Sequence, residues 1–177
     1  MSSTAPESRL DDFGGPLAML AAFDRDMRNA CAALLRLRFR VAEEGADGEA
    51  RAAVRRIVAC FDSASVHHAD EEDDLFPALM EAMSGSDPVC IRELADALTR
   101  EHRELERRWG LVRAWLRAVE ERASVLPSAD PLDAFADLCE RHAAREQQEL
   151  FPMAERLFGT EELDSIRRSM RQRRGMD

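Results

Sequence analysis

The stretch His67-His68-Ala69-Asp70-Glu71-Glu72-Asp73-Asp74-Leu75-Phe76-Pro77 decides the fold, because the chain writes its pattern twice. It returns 75 residues on as His142-Ala143-Ala144-Arg145-Glu146-Gln147-Gln148-Glu149-Leu150-Phe151-Pro152. Both copies hold a histidine, a glutamate four positions later, and a Leu-Phe-Pro ending. Around each pair the apolar residues recur at three- and four-residue spacing: Ile57, Cys60, Ala64 and Leu75 in the first copy, Phe135, Cys139, Leu150 and Met153 in the second. Each motif therefore lies on the inward stripe of an amphipathic helix, with its histidine stacked over its glutamate on one face.

Proline marks where other helices begin: Pro16 after Gly14-Gly15, Pro88 after Asp87 and Pro131 after Asp130, with the two aspartates as N-caps. A further start near Glu49 follows the loop Glu44-Gly45-Ala46-Asp47-Gly48. Helices are predicted over about 16–43, 49–83, 88–123, 131–158 and 161–173. Their connections are short, so neighbours run antiparallel. The expected fold class is all-α, an antiparallel up-down-up-down four-helix bundle with a short extra C-terminal helix. Residues 1–15 are expected to form a flexible N-terminus, 16–158 the bundle, and 159–177 a C-terminal helix and basic tail. A chain of 177 residues, 45% hydrophobic and 34% charged with 8 Gly and 7 Pro, suits one such helical domain.

A net charge of -10 opposes a polyanion, so nucleic acid is not an expected partner. Arg167, Arg168, Arg171, Arg173 and Arg174 crowd the C-terminus, where their expected role is to solubilise a surface helix. There is neither a signal-peptide pattern nor a run of about 18 apolar residues, which leads to a cytoplasmic expectation with no membrane contact. Cys31, Cys60, Cys90 and Cys139 form no C-x-x-C pair, so reduced thiols are expected rather than a disulfide framework or zinc ribbon. Cys31, Cys60 and Cys139 read as small buried filler and Trp109 as core packing. Without tyrosine, no tyrosinate ligand can form.

The inward stripes are interrupted by ionisable residues, which must be paired or metal-bound to offset their desolvation. The first helix reads Leu17, Leu20, Asp24, Met27, Cys31, Leu34, and the third reads Leu98, His102, Leu105, Trp109. At 1.5 Å per residue His67, Glu71, His102, His142 and Glu146 lie ~18 to ~24 Å from one end of the bundle, and Asp24 ~12 Å. An offset of 78 lays Leu98-x-x-x-His102-x-x-Leu105 on Leu20-x-x-x-Asp24-x-x-Met27, so Asp24 takes the place in the first helix that His102 takes in the third. Imidazoles and carboxylates on four helices match how bundles build dinuclear metal sites, and the mixed N and O donors suit iron or manganese. The alternatives are a satisfied core histidine for His102 and local pairing of Asp24 with Arg28 or Arg25. His68 and Glu72, ~100° around the helix, are expected at a boundary or in solvent, and Glu106 just outside the ligands. Phe76 and Phe151 point ~180° from their histidines, and Pro77 and Pro152 should kink the helices to turn each ring toward the bundle end.

With these residues in place, the chain resembles the hemerythrin-like (HHE cation-binding) domain family over about residues 16–158. The family likeness implies a four-helix bundle with a non-heme diiron centre. It implies His67, Glu71, His102 (within EHRELE), His142 and Glu146 as metal ligands, with the two glutamates as bridges. The implied cofactor is two non-heme iron ions with an oxo or hydroxo bridge, manganese or a mixed pair being the alternative. The departure is in LAAFDRDM, where Asp24 stands in the slot of the family's usual histidine. A carboxylate there adds charge and a harder donor, which favours ferric over ferrous iron and weakens the case for reversible O2 carriage. The expected function is binding or sensing O2, NO or peroxide, or handling iron. Two alternatives stand beside it: a diiron oxidase or peroxidase, and a metal-ordered regulatory module whose surface contacts a protein partner or a second copy.

Overall fold

Helix starts and stops follow the local chemistry of the chain. The computed structural model describes residues 14–83, 89–123 and 126–176. Helix α1, Pro16–Glu44, opens on a proline whose missing N–H would have had no helical partner anyway. It stops at Gly45, whose φ of 80° lets the backbone turn away while its N–H donates to Val41 O at 3.0 Å. Helix α2, Gly48–Asp62, is capped by Asp47, which accepts from the Ala50 N–H at 2.7 Å. Arg40 of α1 ion-pairs with Asp47 at 2.7 Å and Glu49 at 2.8 Å, tying the two helices at that end.

The predicted helix 49–83 is broken. After α2 come α3, Ala64–Ala69, a π-helical turn over Asp70–Leu75, and α4, Phe76–Ala82. The fourth predicted helix breaks at the equivalent place: α6, Asp130–Arg145, a π-turn over Glu146–Leu150, and α7, Phe151–Leu157. Between them runs α5, Val89–Glu120, and the chain ends in α8, Thr160–Arg173. Asp130 is not the cap of α6; it is the first helical residue, and Ala129 holds the cap position without a side-chain bond. The expected cap at Asp87, Pro88, and the expected flexible N-terminus up to residue 13 lie outside the described residues.

Each π-turn begins at or beside the repeated glutamate, and proline explains why. Pro77 and Pro152 lack an N–H, and their rings crowd the carbonyl four residues back. Widening the turn by one residue relieves the clash, so Phe76 N–H donates to Glu71 O and Phe151 N–H to Glu146 O. One extra residue holds the phase back by ~100°. Leu75 and Leu150 thereby stay on the inward face, and Phe76 and Phe151 are buried beside them at 4% and 5% exposure. The expected proline kink is thus a π-turn that rotates both rings inward.

Every element among the described residues is helical, with no strand. Helix α1 packs on α2 and α6, and α5 packs on the same two. The core they enclose is split in two. One apolar cluster holds Met27, Leu34, Ile57, Phe61, Leu116 and Phe135; the other holds Leu20, Leu75, Phe76, Leu98, Phe151 and Met170. Between Leu20 and Met27 lies Asp24, and between Leu98 and Leu105 lies His102, so the polar layer separates the two clusters. Helix α8 closes the second cluster with Ile166 and Met170 and packs against the first π-turn. No helix among the described residues is long and apolar enough to cross a membrane.

The C-terminal arginines do more than solubilise. Asp70, fully buried in the first π-turn, receives Arg173 Nη1 at 2.6 Å and Arg174 Nη2 at 2.5 Å, and Arg173 also reaches Asp74 at 2.7 Å. The role expected for Arg173 and Arg174 is corrected accordingly: burial of the Asp70 carboxylate requires paired cations, and α8 supplies them.

Candidate metal centre

Asp24, Glu71, His142 and Glu146 are each 0% exposed, His102 1% and His67 3%, so all six expected site residues lie in the interior. Helix α1 supplies Asp24, α3 supplies His67, the π-turns begin at or beside Glu71 and Glu146, and α5 and α6 supply His102 and His142. His67 Nε2 stands 3.6 Å from Asp24 Oδ1 and 3.5 Å from Glu71 Oε1. His102 Nε2 lies 3.3 Å from Glu71 Oε2 and 3.8 Å from Glu146 Oε1, and His142 Nε2 lies 2.8 Å from Glu146 Oε1. Three donor groups result, each with its atoms within 4.8 Å of one another: Glu71, His102, His142 and Glu146; Asp24, His67 and Glu146; and His68, His102 and His142. Glu146 belongs to the first two. The local partners open to Asp24 are engaged elsewhere: Arg25 bonds Ala21 O, and Arg28 pairs with Glu140 and Gln147.

Two carboxylates behind the cluster orient its histidines. His102 Nδ1 donates to Glu72 Oε1 at 2.7 Å, and His142 Nδ1 donates to Glu101 Oε2 at 3.0 Å. Glu72 is in turn held by Arg103 at 3.2 Å, and Glu101 by Arg145 at 2.5 Å. Carboxylates only accept, so each fixes the proton on Nδ1 and leaves Nε2 facing the cluster, the arrangement by which metal-binding histidines are oriented. Glu72, its side chain 24% exposed, lies at the boundary, one of the two positions expected for it. The supporting role expected of Glu106 falls to Glu101 instead, since Glu106 is exposed. His68 also departs from expectation: it is 5% exposed and its ring stacks on His102 at 3.9 Å between centroids, 9° from parallel. Trp109 and Cys60, expected in the core, are half-buried.

Crowding like charges away from water sets the protonation of the metal-free cluster. Burial, then the neighbouring Glu146 and Glu71, pushes Asp24 up to about 10. Burial and Glu146 raise Glu71 to about 8. Burial works against charge on His102 and His142, but the carboxylates outweigh it and raise them to about 9 and about 10. Glu146, despite burial, is held well below the usual carboxylate range by His142 and His102. His67 is pushed down to about 3 by burial, and His68 is lowered by burial and by the facing His102. The cluster thus holds protons that a bound cation would displace.

The residues fit a metal. Both oxygens of Asp24, Glu71 and Glu146 and the Nε2 atoms of His67, His102 and His142 are buried without a hydrogen-bond partner. Buried polar atoms are rarely left so, and a set that converges on one region calls for a shared cation. Three imidazoles and three carboxylates, with no thiolate among them, form a donor set for iron or manganese rather than structural zinc. Sequence reasoning placed the six at one interior level by phase and internal symmetry, and the structure brings their side chains together in one buried cluster. That reasoning missed Glu101 and Glu72, whose signal lay in their positions beside a ligand: Glu101 directly precedes His102, and Glu72 directly follows Glu71.

Among curated proteins, none matches the chain significantly. The family model of the Hemerythrin HHE cation binding domain matches residues 15–168, a span that takes in all six cluster residues and both π-turns. The chain belongs to the hemerythrin HHE cation-binding domain family.

Proposed function

We propose that the chain binds two non-heme iron ions in an up-down-up-down four-helix bundle and uses them to bind or sense O2, NO or peroxide, or to handle iron. The observation that carries this reading is the sharing of Glu146 between two donor groups. One carboxylate with an oxygen for each of two neighbouring groups suits a bridge, and Glu71, near both His67 and His102, suits a second. Asp24 and His67 would complete one ion's sphere, His102 and His142 the other's. When bound, the irons supply an electron reservoir and an open coordination position for a small ligand. The protein's own residues hold the imidazoles in one tautomer, exclude bulk water and balance charge. Asp24 in place of an imidazole biases the pair toward the ferric state. Four free thiols agree with a cytoplasmic setting.

The test is anaerobic loading with Fe(II), metal analysis, and then mixing with O2. Two irons per chain are expected, with Asp24→Ala lowering occupancy and Asp24→His moving the absorption spectrum. One iron or fewer per chain would overturn the dinuclear reading. Stable adduct formation with O2 supports a binding or sensing role, whereas irreversible oxidation with turnover would make the chain an enzyme.

A further inference from the structure

Beside the cluster, and bordering it at His68, a cavity of about 220 Å³ opens to the surface between α1, α2, α3, α5 and α6. Its walls are Phe61, Trp109, Phe135, Leu105 and Met27. The three aromatic rings pack on one another, with centroids 4.8 Å apart for Phe61 and Trp109 and 4.9 Å for Phe61 and Phe135. At the mouth Arg113 is neutralised by Asp62 at 3.0 Å, so the rim offers an anion no free cation there. His68 also lines this cavity. It is 5% exposed, and neither of its ring nitrogens has a hydrogen-bond partner.

That combination points to a ligand. A buried imidazole carries one N–H donor and one lone pair, and leaving either unmet is unfavourable. Ligation of a metal by His68 alongside His102 fits poorly: the rings lie parallel at 3.9 Å, so an ion in the plane of one ring lies outside the plane of the other. We propose that the cavity is a binding site for a small, neutral aromatic alcohol of the phenol class, whose ring packs among Phe61, Trp109 and Phe135 and whose hydroxyl bonds to His68. Size agrees, since a dry apolar cavity of ~150 Å³ takes up benzene. The hydroxyl can either donate or accept, so it can meet one of the His68 ring nitrogens in either tautomer. A carboxylate would be desolvated with no cation to meet it, beside Asp62 and Glu106. The occupant would lie one ring away from His102, next to the metal cluster.

The test titrates the full chain with phenol, toluene and benzoate, following tryptophan fluorescence and calorimetry, in both metal-free and iron-loaded forms. Phenol and toluene should bind and benzoate should not. In His68→Leu the preference for phenol over toluene should fall by roughly tenfold while toluene binding persists, which also shows that the variant is folded. His68→Gln, which restores a donor and an acceptor, should recover part of that preference. Ala64→Phe, which fills the cavity from its wall, should abolish binding of both. Absence of phenol binding overturns the proposal, as does a phenol-to-toluene ratio unchanged by His68→Leu. A drop in iron stoichiometry in His68→Leu with phenol binding intact overturns it in favour of metal ligation. Because the metal-free chain is titrated too, failure here leaves the iron count untouched, and a failed iron count leaves this binding untouched.

Discussion

Glu101 shows how much a residue outside the cluster can govern it. It holds the Nδ1 proton of His142 while Arg145 holds its other oxygen, and it is lowered in pKa by these partners although its partial burial works the other way. Glu101→Gln keeps the shape but weakens the pull on the imidazole and frees its tautomer. Metal affinity should fall about 10- to 100-fold, measured by competition with a chromophoric chelator, with little change in helical content. An unchanged affinity would mean that Glu101 serves only Arg145. A second residue-scale expectation concerns Cys60, which burial first, then Asp26 and Cys31, pushes up to about 11 from 9.0. Raising a thiol's pKa depletes the thiolate below it, so at pH 8 the reactive form is roughly 100-fold scarcer than for an ordinary thiol. Iodoacetamide followed by peptide mass mapping should label exposed Cys90 first, with Cys60 labelling rising steeply above pH 10. At this scale the sequence was informative wherever one phase decided: Asp24 was legible because its stripe lies in register with that of His102. His68 was not, because the buried sector of α3 is wider than one stripe, and it is the packed ring of His102 across from α3 that buries the second histidine.

At the scale of the element, the π-turns are the chief departure from a regular reading. Nine ideal helical residues put Phe76 opposite His67, yet it is buried with Leu75. Phe76→Ala and Phe151→Ala should each destabilise the protein by ~3–5 kcal/mol in urea unfolding. Asp73→Ala, on the exposed side of the same turn, should cost under ~0.5 kcal/mol. In an uninterrupted α-helix the two phenylalanines would behave as surface residues, so near-neutral alanine variants would count against the π-turn. The signal for this feature was present in the repeated glutamate, four further residues, phenylalanine and proline. A proline inside a strong helical pattern admits either a kink or a widened turn, and sequence periodicity cannot choose, because the choice depends on which one rotates the ring into a core that other helices build.

For the whole molecule, the question is how α8 and the metal layer depend on each other. Asp70 and Glu71 are neighbours in one π-turn; the first is clamped by Arg173 and Arg174, and the second faces the cluster. The separation of the arginines from Asp70 along the chain, about a hundred residues, hid this contact from local pattern reading, which saw only a basic tail. Arg173→Ala with Arg174→Ala leaves a fully buried carboxylate unpaired. The metal-free protein should lose about 2 kcal/mol of stability. Because the same backbone carries Glu71, metal affinity should fall several-fold as well. Linkage then requires the reverse coupling: metal must protect α8. With free metal at ~1,000 times its dissociation constant the native folded state gains about 4 kcal/mol, and the variant, binding metal more weakly, gains less. Melting curves with and without iron should therefore show a larger metal-induced rise for the native chain than for the double variant, by the amount that the affinity ratio predicts. If stability falls while metal affinity holds, the clamp secures α8 alone and the cluster is set by α1, α3, α5, α6 and the two π-turns.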